Sequence, residues 1–322
     1  MREHDDSVRD VAVVGGGAAG LSAALTLSRA RRPVTVIDAG QPRNAPASGV
    51  HGLLGLEGIG PAELIERGRD EVRQYGGELV AGEVIDVRRA PHGFVVAFRD
   101  ETVIAARRLL IATGLVDELP DIPGVREQWG RGVLHCPYCH GWEVRDRRIG
   151  VLATSSMAVH KAILFRQWSS EVVLFAGDHE LEQAERTKLA ALDIPVVDGS
   201  VSGLEVDGER LSGVRLADGQ VVDIDAAAVA TRMVARTEPF AGIGIEPTPH
   251  PAGSYIESDA FGQTGVPGVW VAGNATDLGA QVSGAAAAGA LAAQHINSDL
   301  VNEDLDRAVV NAAETATKGD NR

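Results

Sequence analysis

A chain of 322 residues, 44% of them apolar and 38 of them glycine, has enough material for two packed lobes with many tight turns. Its formal charge of −15 argues against a nucleic-acid partner, because phosphate backbones are held by clustered Lys and Arg. No stretch is apolar over the ~18 residues that span a bilayer, and the polar start Met1-Arg2-Glu3-His4-Asp5-Asp6 lacks a secretion profile, so a cytoplasmic protein without a membrane partner is expected.

In chain order, Asp10–Val14 is a short apolar run of the kind buried in a parallel sheet, and it ends in Gly15-Gly16-Gly17-Ala18-Ala19-Gly20. Leu21–Arg29 has helical spacing, and a second apolar strand, Val34–Ile37, ends at Asp38. Together these predict a βαβ unit. Pro61–Tyr75 reads as a charged amphipathic helix and Gly77–Ala97 as short strands, leading to Arg108–Ile111 and Ala112-Thr113-Gly114. After the proline-containing stretch Leu119–Pro123 come the two cysteines, Cys136 and Cys139. A second strand-helix-strand pattern follows over Ile149–Leu152, Ala158–Trp168 and Glu171–Phe175. A later strand, Gly268–Gly273, precedes an Ala/Gly helix from about Ser283 to His295 that is expected to rejoin the first lobe. The polar residues Asn302–Arg322 have no wide apolar face and are expected to fray.

Gly15, Gly17 and Gly20 form a G-x-G-x-x-G turn, in which glycine lets the chain tighten and lets backbone N–H groups approach a pyrophosphate at a helix start. The string alone is weak and fits a ligand-free turn. Here it lies between a strand and a helix, and Asp38 follows at the distance of an acid that accepts ribose hydroxyls, so a dinucleotide site is expected. The bland alternative for Asp38 is a surface acid at a strand end.

Cys136-Pro137-Tyr138-Cys139 closes a small ring when oxidised, and a low-pKa thiolate in such a motif attacks disulfides far better than an ordinary thiol. His135 and His140 flank it, and an imidazole titrating near neutrality can take a thiol proton; His140 is the candidate base. Three other readings compete. Cys139-His140 completes the C-x-x-C-H string of haem attachment, which normally requires export. A zinc site wants four ligands, and no second C-x-x-C or H-x₃-H is present; no metal is expected. Two inert buried cysteines fit poorly with a polar, histidine-flanked segment. Tyr138, Trp142 and Val50–Leu54 read more readily as packing than as ligand contacts.

Taken together, Gly15–Gly20, Ala112–Gly114, the Cys136/Cys139 pair between two dinucleotide-type units, and Val271-Ala272-Gly273-Asn274 resemble the low-molecular-weight thioredoxin reductase family over residues 8 to 300. The resemblance implies an α/β fold of two Rossmann-like dinucleotide-binding domains: an FAD domain over 1–117 and 243–322, split around a smaller NAD(P)H-type domain over 118–242. It also implies a homodimer. Carried over by position, Gly15, Gly17, Ala18, Ala19, Gly20, Asp38, Ala39 and Arg43 would hold the ADP half of FAD. Ala112, Thr113 and Gly114 would pack by the flavin, Gly273 and Asn274 would meet the ribityl chain, and Gln281 and Val282 would cap the isoalloxazine edge. Cys139 would be the thiol facing the flavin and Cys136 the one exchanging with substrate.

Three departures bear on function. The acid that the family carries after its cysteines is His140 here. The second domain's expected G-x-G-x-x-A reads Ala153-Thr154-Ser155-Ser156-Met157-Ala158, and its expected His-Arg-Arg reads Ala176-Gly177-Asp178. Side chains in place of glycines and an acid in place of arginines make NADPH a doubtful cofactor. Cys-Pro-Tyr-Cys-His-Gly looks like the motif of the dithiol oxidases that close disulfides of the gliotoxin and holomycin type. An FAD-dependent oxidation of a small-molecule dithiol with O2 as acceptor is therefore expected. The alternatives are a reductase of a thioredoxin-like protein, fed by NADPH or ferredoxin, and a flavin redox sensor without turnover.

Overall fold

In the computed structural model, which describes residues 2–3 and 8–319, the chain forms two compact units. One contains the described residues up to Arg43, Ala62–Val116 and the chain from Val234 onward; the other contains Asn44–Pro61 and Asp117–Met233. The acidic start read above lies mostly outside the described residues.

In the first unit, β1 (Arg9–Val14) leads through the glycine turn into α1 (Ala18–Arg29) and β2 (Val34–Asp38). The sheet runs in the order Glu78–Ala81, β2, β1, β3 (Thr102–Ile111), Gly93–Phe98, Val84–Ala90, with Val269–Val271 also paired to β3. Pairings from Glu78–Ala81 through β3 are parallel, as is that of Val269–Val271, whereas the last two strands pair antiparallel. The sheet is therefore mixed. Val11 and Val13 pack with Leu27 and Ile296 on one face, and Ala12 and Val14 pack with Phe94 and Val269 on the other. Burial on both faces is why β1 reads as an unbroken apolar run.

The second unit repeats the βαβ theme with β4 (Ile149–Leu152), α2 (Ala158–Phe165) and β5 (Val172–Gly177). Its sheet is parallel throughout, in the order Val196–Asp198, β5, β4, Ala226–Ala228, Val133–Leu134. A separate antiparallel sheet joins Val201–Asp207, Arg210–Leu216 and Val221–Asp223. The expected α/β architecture with two Rossmann-like units is present. No helix among the described residues is long and apolar enough to cross a membrane.

Two boundaries differ from the expected 1–117, 118–242 and 243–322. The segment Asn44–Pro61 groups with the second unit, where Pro46 fills the space at Gly130, so that a Cβ built on Gly130 would lie 2.6 Å from Pro46 Cβ. The return to the first unit comes at Val234, because Ala235, Phe240 and Ile243 already belong to the first core.

The carboxy-terminal helix, Val282–Gly319, corrects the expectation of fraying from Asn302. Its alanines favour helix, and three arginines hold its middle. Arg108 Nε donates to Asp299 Oδ2 at 2.5 Å, Arg107 Nη2 to Asp304 Oδ1 at 2.5 Å, and Arg32 Nη1 to Asp304 Oδ2 at 2.7 Å. Polar composition concealed this because the anchors are ion pairs rather than an apolar face. Near the helix start, Gly289 admits α1 closely: a Cβ there would sit 2.0 Å from Ala19 O.

Candidate functional site

The glycine turn of the first unit divides its labour. Gly15 sits at φ 111° and a Cβ on it would lie 2.2 Å from Ala112 O, while a Cβ on Gly20 would lie 1.8 Å from Gly15 O. Both glycines thus serve the packing of strand, turn and helix. A Cβ on Gly17 would meet nothing within 4 Å, so this position, the N-cap of α1, borders open space. Backbone N–H groups at the start of a 12-residue helix face that space together with the helix dipole, which suits the pyrophosphate of a dinucleotide.

Asp38 ends β2 as expected, and its Oδ2 accepts from Arg69 Nη2 at 2.8 Å. Gly16, not singled out from sequence, permits this placement, because a Cβ there would lie 2.8 Å from Asp38 Cγ. Its neighbour Gly15 masked the signal by satisfying the motif. Ala39 is exposed just beyond Asp38, and Arg43 is half-buried at the unit boundary. Ala112 N donates to Val14 O at 2.8 Å, which sets Ala112-Thr113-Gly114 at the carboxyl edge of β1; Thr113 Oγ1 donates to Arg236 O at 3.4 Å. Gly273, at φ 73°, approaches Ala19. Asn274 Nδ2 donates to Asp277 O at 3.0 Å and Ala280 O at 2.9 Å, so its amide nitrogen shapes the turn that delivers Gln281 and Val282 to the terminal helix. The first unit therefore gathers its glycines, Asp38 and Ala112–Gly114 at the carboxyl ends of the parallel strands β1, β2 and β3 of its mixed sheet, where ligands of open α/β sheets bind. These residues fit an FAD: an open cradle at Gly17, a helix N-terminus and an acid at the end of the next strand.

In the second unit Cys136 caps a one-turn helix, Pro137–His140, with Pro137 at its first position, where a missing N–H costs nothing. The thiols are reduced and not joined to each other. The hydrogen bond from the Cys139 side chain, backbone N–H groups of Cys139 and Tyr138, and the Lys161 charge together outweigh burial and bring the Cys136 thiol down to about 7. Lys161, on α2, was not foreseen, since one lysine in an apolar helix reads as a surface residue. Its ammonium donates to His135 O at 2.9 Å and Val229 O at 2.6 Å, and burial lowers it to about 8 despite the attraction of Cys136. Between those two values a thiolate and an ammonium coexist. Accordingly, alkylation of Cys136 by iodoacetamide, followed by peptide mass spectrometry, should rise with pH about a midpoint near 7. Lys161→Met removes a cation that favours the thiolate, so the midpoint should move up and alkylation at pH 7 should slow several-fold.

His140 lies beside this pair in sequence, and burial pushes its imidazole below the ordinary value; Glu143 opposes the shift and His51 adds to it. A histidine lowered in this way is neutral at pH 7 and able to accept a proton. His135 has its Nδ1 3.5 Å from Thr231 Oγ1, which itself donates to Asp117 Oδ1 at 2.7 Å. Tyr138, Trp142 and Leu54 are exposed by 62%, 65% and 102%, so packing does not account for them. Tyr138 meets Trp168 edge-on at 5.6 Å, and Arg145 lies over Trp142 at 4.2 Å.

The loop after β4 is tied to Ala230 and, at its far end, to itself. Thr154 Oγ1 donates to Ala230 O at 3.0 Å and accepts from Ala230 N at 2.9 Å, and Met157 N donates to Ser155 Oγ at 3.2 Å. Met157 N–H is thereby engaged by a side chain of the loop itself, and Ala158 N donates to Ser155 O at 3.1 Å, so two N–H groups at the start of α2 are already occupied. At the end of β5, Asp178 is exposed and Ser200 Oγ donates to its Oδ1 at 2.5 Å.

Residues 9–290 match the pyridine nucleotide-disulphide oxidoreductase family model. The chain is 30% identical over 288 residues to the thioredoxin reductase tcpT of Claviceps purpurea, covering 83% of this chain and 87% of that one. A crystal structure of HlmI superposes with a TM-score of 0.92 at 46% identity, covering 97% and 98% of the two chains. An oxidoreductase from Agrobacterium tumefaciens superposes with a TM-score of 0.87 at 33% identity, covering 92% and 99%.

Proposed function

Because this chain belongs to the pyridine nucleotide-disulphide oxidoreductase family, we propose from that premise that it is an FAD-dependent dithiol oxidase acting on a small-molecule dithiol. The carrying observation is the pairing of a thiol lowered to about 7 at Cys136 with a nicotinamide-type loop in which side chains stand in place of the expected glycines and Met157 N–H is already engaged by Ser155 Oγ.

Gly15–Gly20, Asp38, Ala112–Gly114 and the Gly273–Val282 turn would hold an FAD, whose chemistry would be to carry an electron pair from the reduced dithiol to O2, with H2O2 as the product. The chain's own residues do the rest. A substrate thiolate attacks Cys136 Sγ of the oxidised pair, forming a mixed disulfide and releasing Cys139 as thiolate. The substrate's second thiol attacks its own sulfur in that mixed disulfide, which closes the product disulfide and expels the Cys136 thiolate. The substrate loses two electrons and the cysteine pair gains them. A leaving thiol of low pKa departs faster, so the lowered Cys136 serves this second step. His140, neutral and half-buried, takes the proton of each substrate thiol as it becomes the attacking thiolate. Exposed Tyr138, Trp142 and Leu54 offer apolar surface to a small substrate.

The thioredoxin reductase of Claviceps purpurea favours by its name a second reading, reduction of a thioredoxin-like protein, for which NADPH would be the electron source. The two readings separate in one assay. Addition of a small dithiol to the aerobic FAD-loaded protein should consume oxygen and yield peroxide in equal amounts, whereas NADPH should not. Turnover with NADPH and a thioredoxin, together with none from dithiols, would overturn the oxidase.

A further inference from the structure

The dithiol-oxidase reading, on which this inference rests, requires a cysteine pair that accepts electrons readily. Two carbonyls at the end of the second unit's sheet bear on that requirement. Ala228 pairs with Leu134 where the strands Ala226–Ala228 and Val133–Leu134 stop, and Val229 N donates to Leu134 O at 3.0 Å. His135 O and Val229 O follow just past this last pairing, and one group takes both. Lys161 Nζ, on α2, donates to His135 O at 2.9 Å and to Val229 O at 2.6 Å. His135 O belongs to the peptide that contains the Cys136 nitrogen, so standard peptide dimensions hold the ammonium within roughly 6 Å of the Cys136 Cα.

A neutral side chain with two N–H donors would satisfy the same two carbonyls. What lysine adds is a positive charge beside the cysteine, with a third N–H to spare. That charge acts on one redox form alone, because the disulfide is neutral while the reduced pair carries a thiolate. Whatever stabilises the reduced form makes the couple the stronger oxidant. The Cys136 thiol stands at about 7, brought down first by its hydrogen bond with the Cys139 side chain and also by the Lys161 charge. Burial lowers Lys161 to about 8, and Cys136 is the charged group among the described residues whose field opposes that fall. The other titratable groups close by are Cys139 and His135, the latter 3.5 Å from Thr231 Oγ1, which donates to Asp117.

We propose that Lys161 poises the Cys136/Cys139 couple to take electrons from a substrate dithiol. As the two substrate thiols close into a disulfide, their electron pair enters the Cys136–Cys139 bond and breaks it. Cys139 keeps one of the two protons, the other leaves to solvent, and Cys136 remains a thiolate beside the ammonium. Lys161 is a positioning residue: it acts through Cys136, by its charge and by its hold on the His135 carbonyl.

The test is a redox equilibrium. FAD-loaded protein is held without oxygen in glutathione redox buffers, quenched in acid and alkylated, and the fraction with Cys136 and Cys139 reduced is read by mass spectrometry. This equilibrium exists whichever way the chain runs physiologically, so it tests the lysine, while oxygen consumption tests the oxidase. Lys161→Gln keeps N–H donors for the two carbonyls and drops the charge. At pH 7.5, above the wild-type thiol at about 7, reduction of the variant should be about threefold less favourable, a fall in midpoint potential of about 14 mV at about 30 mV per tenfold. At pH 5.5 both proteins hold Cys136 as the thiol, and their midpoints should coincide. Lys161→Arg, which keeps the charge, should follow the wild type at both pH values. A wild-type midpoint in Lys161→Gln at pH 7.5, a fall of the same size at pH 5.5, or a fall shared by Lys161→Arg would overturn the proposal.

Discussion

Replacing Cys136 with serine is expected to lower dithiol turnover by ~10³-fold or more, because a hydroxyl can neither form the mixed disulfide nor leave as a stabilised anion. Protein stability should change by less than about 1 kcal/mol, since the cysteines are half-buried and no disulfide staples the fold in the reduced form. Cys139→Ser should be equally inactive yet informative. Its Cys136 should accept the thionitrobenzoate group from Ellman's reagent and keep it, with no neighbouring thiol to release it, and peptide mass spectrometry would locate the adduct. An adduct that is discharged as fast as in the wild type would contradict the pairing of Cys136 with Cys139 as one redox couple.

The second large effect belongs to the glycine turn. Gly17→Val should leave the chain folded, because a Cβ at that position meets nothing within 4 Å, but it should fill the cradle at the start of α1. Two N–H contacts to a phosphate, each worth about 1.5–3 kcal/mol, would be blocked, so FAD retention should fall ~10²-fold or more. Gly20→Val meets backbone instead, with its Cβ 1.8 Å from Gly15 O, and should lose several kcal/mol of stability together with the flavin. Thermal unfolding of the two apoproteins separates these outcomes. If Gly17→Val proved as unstable as Gly20→Val, its glycine would be structural and the cradle would lie elsewhere.

The two variants also show where sequence reading reaches and where it stops. Periodicity made both βαβ units legible and glycine spacing marked the first, because a strand buried on two faces must be apolar throughout and the first turn leaves no room for a Cβ at Gly15 or Gly20. The cysteine pair announced itself by spacing alone. Lys161 did not: its importance comes from a position on α2 that brings its ammonium to His135 O, and no local pattern records that contact across 26 residues. The same holds for His51 and Glu143, which meet only because Asn44–Pro61 crosses to the second unit. The terminal helix was missed for a related reason, since its anchors, Arg32, Arg107 and Arg108, lie far away in sequence.

The lowered thiol at Cys136 and the engaged loop at Thr154–Met157 converge on one expectation about electron supply. Purified protein loaded with FAD and held without oxygen should lose its yellow colour when a small dithiol is added, and should keep it when NADPH or NADH is added at the same concentration. Bleaching by NADPH, with the colour unmoved by dithiols, would contradict the account at its centre.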